Sequence, residues 1–151
     1  MLHPAPTTKI DPTLARGTVL EVCDATANTP ARVVLSFPNT SYKSAFETHD
    51  DLEMLRSRIG EMVMGRIYAK ARRVDQPQAG GRRIDPCLGT PRRVMGTVVG
   101  VDPSANVVVM DAGVPVLLTL SAPGQQAQQF VEADFIACDV FPGTRFALQI
   151  S

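Results

Sequence analysis

The chain of 151 residues carries 15 basic and 15 acidic groups, with no Trp and only two Tyr, so no overall charge draws it to nucleic acid or an anionic surface. No stretch approaches the eighteen or so apolar residues of a membrane span. Three widely separated cysteines, Cys23, Cys87 and Cys138, argue against a disulfide framework and against a cysteine-rich zinc site.

Residues 1–13 hold Pro4, Pro6 and Pro12 and no apolar run of secretory length. They read as a loose N-terminal arm rather than a signal peptide, and a reducing, cytoplasmic location is expected. Gly17 to Val22 predicts a strand and Ala31 to Phe37 its partner, joined by a long turn over Asp24 to Pro30. Thr40 to Phe46 predicts a third, more polar strand. The period then changes: Thr48 as N-cap, Asp51 behind it, and Leu52, Leu55 and Ile59 on one face predict a helix that stops at Gly60. Asp50, Asp51 and Glu53 at its start and Arg56 and Arg58 at its end suit the helix dipole. Met62 to Val74 follows as a long strand.

Residues 76–91 form a connector rich in Arg, Pro and Gly. Val94 to Val101, Val107 to Asp111 and Val114 to Leu120 then predict three strands, with turns at Asp102 to Asn106 and at Ala112-Gly113. Gln125 to Val131 reads as a weak helix and Thr144 to Ile150 as a closing strand. Cys23 and Cys138, and Phe37, Phe46, Phe130, Phe135 and Phe146, sit in apolar contexts and are expected in the core.

The order recurs. Gly17-Thr18-Val19 followed by Asp24-x-x-Ala27-Asn28 returns as Gly96-Thr97-Val98 followed by Asp102-x-x-Ala105-Asn106. Val63-x-Gly65-Arg66-Ile67 returns in part as Val140-x-x-Gly143-x-Arg145-Phe146. Self-similarity at a fixed spacing implies a duplicated unit, so residues 14–75 and 92–151 are expected to be twin modules. Each is small enough to lean on the other for its core.

A three-strand meander, a helix, then more strand resembles the OB-fold, a five-stranded barrel with a helix between its third and fourth strands. That resemblance implies a mainly β chain of two tandem OB-like barrels, each with one short helix. The second module lacks an obvious fifth strand, so its barrel is either incomplete or completed by a strand lent across the junction, such as one near Arg82 to Cys87. The run from Val94 to Val109 is also similar to the first signature of Sm-like RNA-binding proteins, a Gly, an apolar residue, then Asp and Asn four apart. The likeness implies a base-holding turn at Asp102 and Asn106, although Ala105 is too small to stack a base and Pro142-Gly143 stands where that family has Arg-Gly. The alternative for Asp102 and Asn106 is turn chemistry, their side chains bonding local backbone groups.

Charge is unevenly placed. Arg72-Arg73, Arg82-Arg83 and Arg92-Arg93 recur every ten residues, against a second half with five acids and Arg145 alone. If residues 66–75 and 82–87 pair as a hairpin, these guanidinium groups line up to bind phosphates or an acidic protein surface. They can equally be a charged edge that blocks aggregation, or pair with the acidic half. Tyr68, beside Arg66 and Lys70, is the candidate stacking ring.

Catalytic signatures are missing. His3 lies in the arm and His49 at a helix start, without metal-ligand spacing, and the chain holds no G-x-S-x-G, Walker or dinucleotide motif. The sequence therefore points to a non-enzymatic, cofactor-free protein-interaction or assembly module acting with a protein partner or by self-association. RNA or single-stranded DNA binding through residues 72–93 is the alternative.

Overall fold

The computed structural model describes residues 11–149; much of the predicted arm, with His3, lies outside them, as does Ile150. The chain is mainly β, with strands β1 (Ala15–Cys23), β2 (Arg32–Ser36), β3 (Lys43–Glu47), β4 (Met62–Asp75), β5 (Arg83–Asp85), β6 (Leu88–Gly89), β7 (Arg93–Asp102), β8 (Val107–Asp111), β9 (Pro115–Leu120), β10 (Phe135–Val140) and β11 (Arg145–Leu148). One helix, α1 (Leu52–Ser57), separates β3 from β4, and a single 3-10 turn (Ala127–Gln129) separates β9 from β10. Among the described residues no helix is long and apolar enough to cross a membrane.

Two closed circuits of hydrogen-bonded strands organise the sheet. In the first, β1 pairs with β2, β2 with β3, β3 with β11, β11 with β4, and β4 with β1. In the second, β7 pairs with β8, β8 with β9, β9 with β4, β4 with β10, and β10 with β7. The fourteen residues of β4 serve both: its first half lies between β1 and β11, its second half between β9 and β10. The strand that completes the second circuit is thus the end of β4, and the strand that completes the first is β11, from the far end of the chain. The segment near Arg82 to Cys87 does neither. Its β5 pairs with β7, so the hairpin between residues 66–75 and 82–87 on which an aligned arginine array would depend does not form. Ile84, its one apolar side chain, is buried by packing against the β7 side.

The two circuits run in the same register. Thr18 faces Ser36 and Val19 faces Leu35, then a bulge leads to Glu21 facing Val34. Thr97 faces Asp111 and Val98 faces Met110, then a bulge leads to Gly100 facing Val109. Gly17 pairs with Val63 as Gly96 pairs with Ile136. The glycine repeat therefore marks equivalent places. The second repeat does not: Val63 corresponds to Ile136, not Val140. Residues 66–68 and 145–147 are instead paired with each other, Tyr68 with Arg145, Ile67 with Phe146 and Arg66 with Ala147. Their likeness thus lies within one strand pair built from both ends of the chain.

Local chemistry explains the smaller departures. The third strand starts at Lys43 rather than Thr40, because Thr40 turns back to donate its hydroxyl to Phe37 O (2.9 Å). The helix is capped by Asp51, which accepts Glu53 N–H at 3.0 Å, while Thr48 accepts from Asp50 N–H. It ends at Ser57, buries only Leu55, and leaves Ile59 half exposed. The Gln-rich segment makes one 3-10 turn rather than a helix, as its thin apolar face would support no more. A continuous core links both circuits. Phe46 on β3 packs between Phe37 (6.0 Å, edge-on) and Phe146 of β11 (6.4 Å), so the C-terminal strand fills the first circuit. Phe135 is half-buried rather than core, and so is Cys23.

Candidate functional surfaces

The six arginines do not form one array. Arg72 and Arg73 end β4, where the register against β10 slips between Val140–Ala71 and Cys138–Val74. That slip interrupts the in-out alternation and turns both side chains outward. The Arg72 guanidinium lies 4.0 Å from the centre of the Phe141 ring, and Lys70 Nζ 5.4 Å from the same ring. Each such contact is worth about 0.5–1 kcal/mol at an exposed site.

Three of the others are matched by carboxylates. Arg82 Nη1 donates to Asp111 Oδ2 (2.8 Å), Arg83 Nε to Asp85 Oδ2 (2.9 Å) and Arg93 Nη1 to Asp139 Oδ1 (3.0 Å). Two of those partners, Asp111 and Asp139, come from the acidic second half. Exposed pairs of this kind add little stability, but they halve the charge that a phosphate would meet. Arg73 and Arg92 are exposed, and among the described residues neither has a carboxylate within ion-pair distance.

Arg82 and Arg83 border a cleft of about 520 Å³ with Asn39, Ser41, Tyr42 and Cys87. Tyr42 fixes its floor. The buried phenol donates to Ala112 O (2.8 Å) and accepts Ile84 N–H (3.2 Å), tying the connector to both halves, and burial pushes its ionisation up. Ser41 Oγ and Cys87 Sγ are 3.3 Å apart at the rim. Among the described residues no three His, Cys, Asp or Glu side chains are placed to share a metal.

Tyr68 is half-buried on β4, and one ring face carries the Arg145 guanidinium 4.9 Å from its centre. Asp102 and Asn106 act within the fold. Asp102 Oδ1 accepts from Ser104 Oγ–H (2.7 Å) and Ala105 N–H (3.3 Å), and the serine bond first, then the amides, holds its carboxyl below the usual range. Asn106 has φ 56°, and its amide staples two segments: Nδ2 donates to Leu120 O (3.1 Å) and Oδ1 accepts Ala127 N–H (2.8 Å). Asn28, its match in the sequence repeat, is exposed, and Asp24 pairs with Arg56 of α1. The two Asp–Asn turns share a spelling, not a role.

An apolar face escaped the sequence reading. Leu20, Ile59, Met62 and Met64 are 39%, 50%, 52% and 42% exposed. Met62 faces Thr18 and Met64 faces Arg16 across the β1–β4 ladder, and a bridge joins Val19 to Ile59 beside Leu20. Met62 and Met64 thus share the outward side of β4, with Leu20 exposed on the neighbouring β1 and Ile59 exposed just before β4. The signal was present in Met62-Val63-Met64, where apolar residues occupy both faces of a strand whose inner face is already filled by Val63 and Gly65. Exposed methionines flanked by charge are a recurrent feature of binding surfaces.

Family models, curated proteins and solved structures yield no match to this chain.

Proposed function

We propose that this chain is a non-enzymatic assembly module of two duplicated OB-like barrels, and that a second copy of the chain docks on the face formed by Leu20, Ile59, Met62 and Met64. The barrel reading draws support from the strand circuits. Each has five strands, with α1 or the 3-10 turn between its third and fourth members, and the bulges of β1 and β7 fall at matching registers. On this reading the barrels exchanged fifth strands, β11 for the end of β4, which explains why the second module lacks a fifth strand of its own. The helix position favours the OB-like over the Sm-like description. Three free thiols fit a reducing, cytoplasmic setting.

The observation that carries the interaction reading is the apolar face itself. Its rim argues for a second copy as partner. Arg16 lies opposite Met64, while Arg58, Glu61 and Glu21 adjoin Ile59, Met62 and Leu20 in the chain, and all four are exposed. Two charges of each sign around an apolar centre complement themselves under a two-fold rotation. Light scattering of wild type and of Met62→Glu/Met64→Glu tests this. A concentration-dependent dimer abolished by the double substitution is expected, and a wild type that stays monomeric at high concentration overturns it.

One observation favours nucleic acid as a second reading: the bulge that turns Arg72 and Arg73 outward beside Lys70. Binding to short RNA or single-stranded DNA would fall with salt, and Arg72→Ala/Arg73→Ala would flatten that dependence by about one unit of slope per lost contact. Absence of binding at low salt eliminates it.

A further inference from the structure

The two circuits differ in one place where their matched registers make the difference meaningful. On the second circuit, β5 lies along the edge of β7: Arg83 faces Met95, Ile84 faces Val94 and Asp85 faces Arg93. Ile84 is buried and gives its N–H to Tyr42. By the registers above, Val94 and Met95 correspond to Ala15 and Arg16 of β1, and Tyr42, just before β3, corresponds to Val114, just before β9. The edge of β1 that matches the β5 site has no strand on it among the described residues, since β2 pairs with β1 only from Thr18 onward. A pocket of about 440 Å³ lies there instead, lined by Pro12, Leu14, Phe37, Val99, Val114 and Pro115, with Arg16 and Asp111 as its charged members.

The sequence holds a matching segment. Arg83-Ile84-Asp85-Pro86-Cys87-Leu88 has a counterpart in Lys9-Ile10-Asp11-Pro12-Thr13-Leu14: basic, Ile, Asp, Pro, any, Leu. The duplication thus extends upstream of β1. The entry point is fixed as well. Asp11 accepts from Thr13 N–H (2.9 Å) and hydroxyl (2.6 Å) and pairs with Arg66 at 3.0 Å, and Leu14 N–H closes a turn on Asp11 O (3.2 Å). Arg92 N–H closes on Asp85 O in the same sense at the end of β5. The described chain thus begins, at Asp11, directly beside a pocket that Pro12 and Leu14 themselves line.

We infer that the pocket between β1 and the Val114–Pro115 segment is a strand-addition site whose occupant is the chain's own Lys9-Ile10-Asp11. Ile10 fills the apolar space as Ile84 does in the second circuit, with Lys9 paired to Arg16 in the position of Arg83 against Met95. Main-chain bonds to a free strand edge supply affinity, and the pocket for one aliphatic side chain supplies selectivity. The chemistry recognised is an extended basic–isoleucine–aspartate tripeptide. The inference is independent of the docking face on Met62 and Met64.

The test uses the full chain with labelled isoleucine methyls. Nuclear Overhauser contacts from the Ile10 methyl to Val114 and Phe37 are expected. Their absence overturns the proposal. Mixing labelled and unlabelled chains separates a cis occupant from one lent by a second copy, and contacts seen only between chains overturn the assignment to the chain's own segment. Ile10→Asp should leave the fold intact and speed amide exchange at Arg16 at least about tenfold, as expected for loss of a local strand pairing. Unchanged exchange at Arg16 overturns it.

Discussion

The ring of Phe146, on β11, occupies the space beside Gly65 where any other residue would place its Cβ. A methyl group there would meet both that ring and the carbonyl oxygen of Ala147. Gly96 is its analogue in kind, since a Cβ there would meet the Asp111 carbonyl. Backbone cannot yield as a side-chain tip can, so Gly65→Ala and Gly96→Ala should each cost about 3 kcal/mol, lowering Tm by about 6–12 °C. Gly100 is the control: its Cβ would find only Val109, at 3.7 Å, so Gly100→Ala should change stability by less than about 1 kcal/mol. Thermal and urea unfolding of the three variants checks the ranking, and a tolerated Gly65→Ala would mean that β11 does not pack on β4 as described.

Because β4 and β11 each complete a circuit begun elsewhere in the chain, the two halves should not fold apart. Cut between Gly80 and Gly81, the N-terminal piece lacks β11 and the C-terminal piece lacks the end of β4, leaving both circuits open. Neither fragment should show a cooperative melt by circular dichroism. Mixed at equal concentration, they should recover the strand spectrum and a melt that depends on concentration. Independent cooperative folding of either fragment would contradict the shared architecture.

Strand positions were legible in the sequence where turn residues bracket β-branched runs, as in β7 to β9. The Gly17–Gly96 match was legible because both sites are crowded: a Cβ at Gly96 would meet the Asp111 carbonyl, and one at Gly17 would lie 3.1 Å from the Phe37 ring and 3.2 Å from Ser36 O. Pairing across the chain was not. Residues 66–69 and 145–147 resemble one another, and similarity between two strands reads equally as duplication or as partnership; only the ladder from Tyr68–Arg145 to Leu148–Gly65 decides. The arginine segment misled for a related reason. Ten-residue spacing implies alignment only if a hairpin forms, and Ile84, the apolar residue that could choose a side, packs on β7. Local patterning likewise could not reveal Asn106 as a staple, since Leu120 and Ala127 reach it through tertiary folding.

Ser44 gives a stability gain. It lies on β3, fully buried, and among the described residues its hydroxyl finds no hydrogen-bond partner. An unmet buried hydroxyl costs about 1–3 kcal/mol, against which the loss of one small polar atom's packing is minor. Ser44→Ala should therefore raise stability by up to about 1 kcal/mol, while Ser44→Val should overfill the site. Paired urea titrations with unchanged m-values read this directly, and a destabilised Ser44→Ala would show that the hydroxyl has a partner in solution.

Cys138 should divide the thiols by chemistry and set an alkaline limit on stability. It is fully buried on β10, and burial pushes its thiol from 9.0 up to about 12. The thiolate is the reactive form, so iodoacetamide at pH 8 should modify exposed Cys87 first and leave Cys138 untouched until the protein unfolds. The sign of the linkage follows from the raised value. Below pH 9 both folded and unfolded thiols are neutral and the stabilisation is fully present. Above pH 9 the unfolded thiol ionises while the folded one does not, so stability falls by about 1 kcal/mol per pH unit until pH 12, where the folded thiol titrates as well. Cys138→Ala removes this slope at a cost of about 1–2 kcal/mol from the lost packing. The wild-type advantage should thus fall to zero about one to two pH units above 9 and reverse sign before pH 12. A difference independent of pH across that window would show that the thiol is open to solvent.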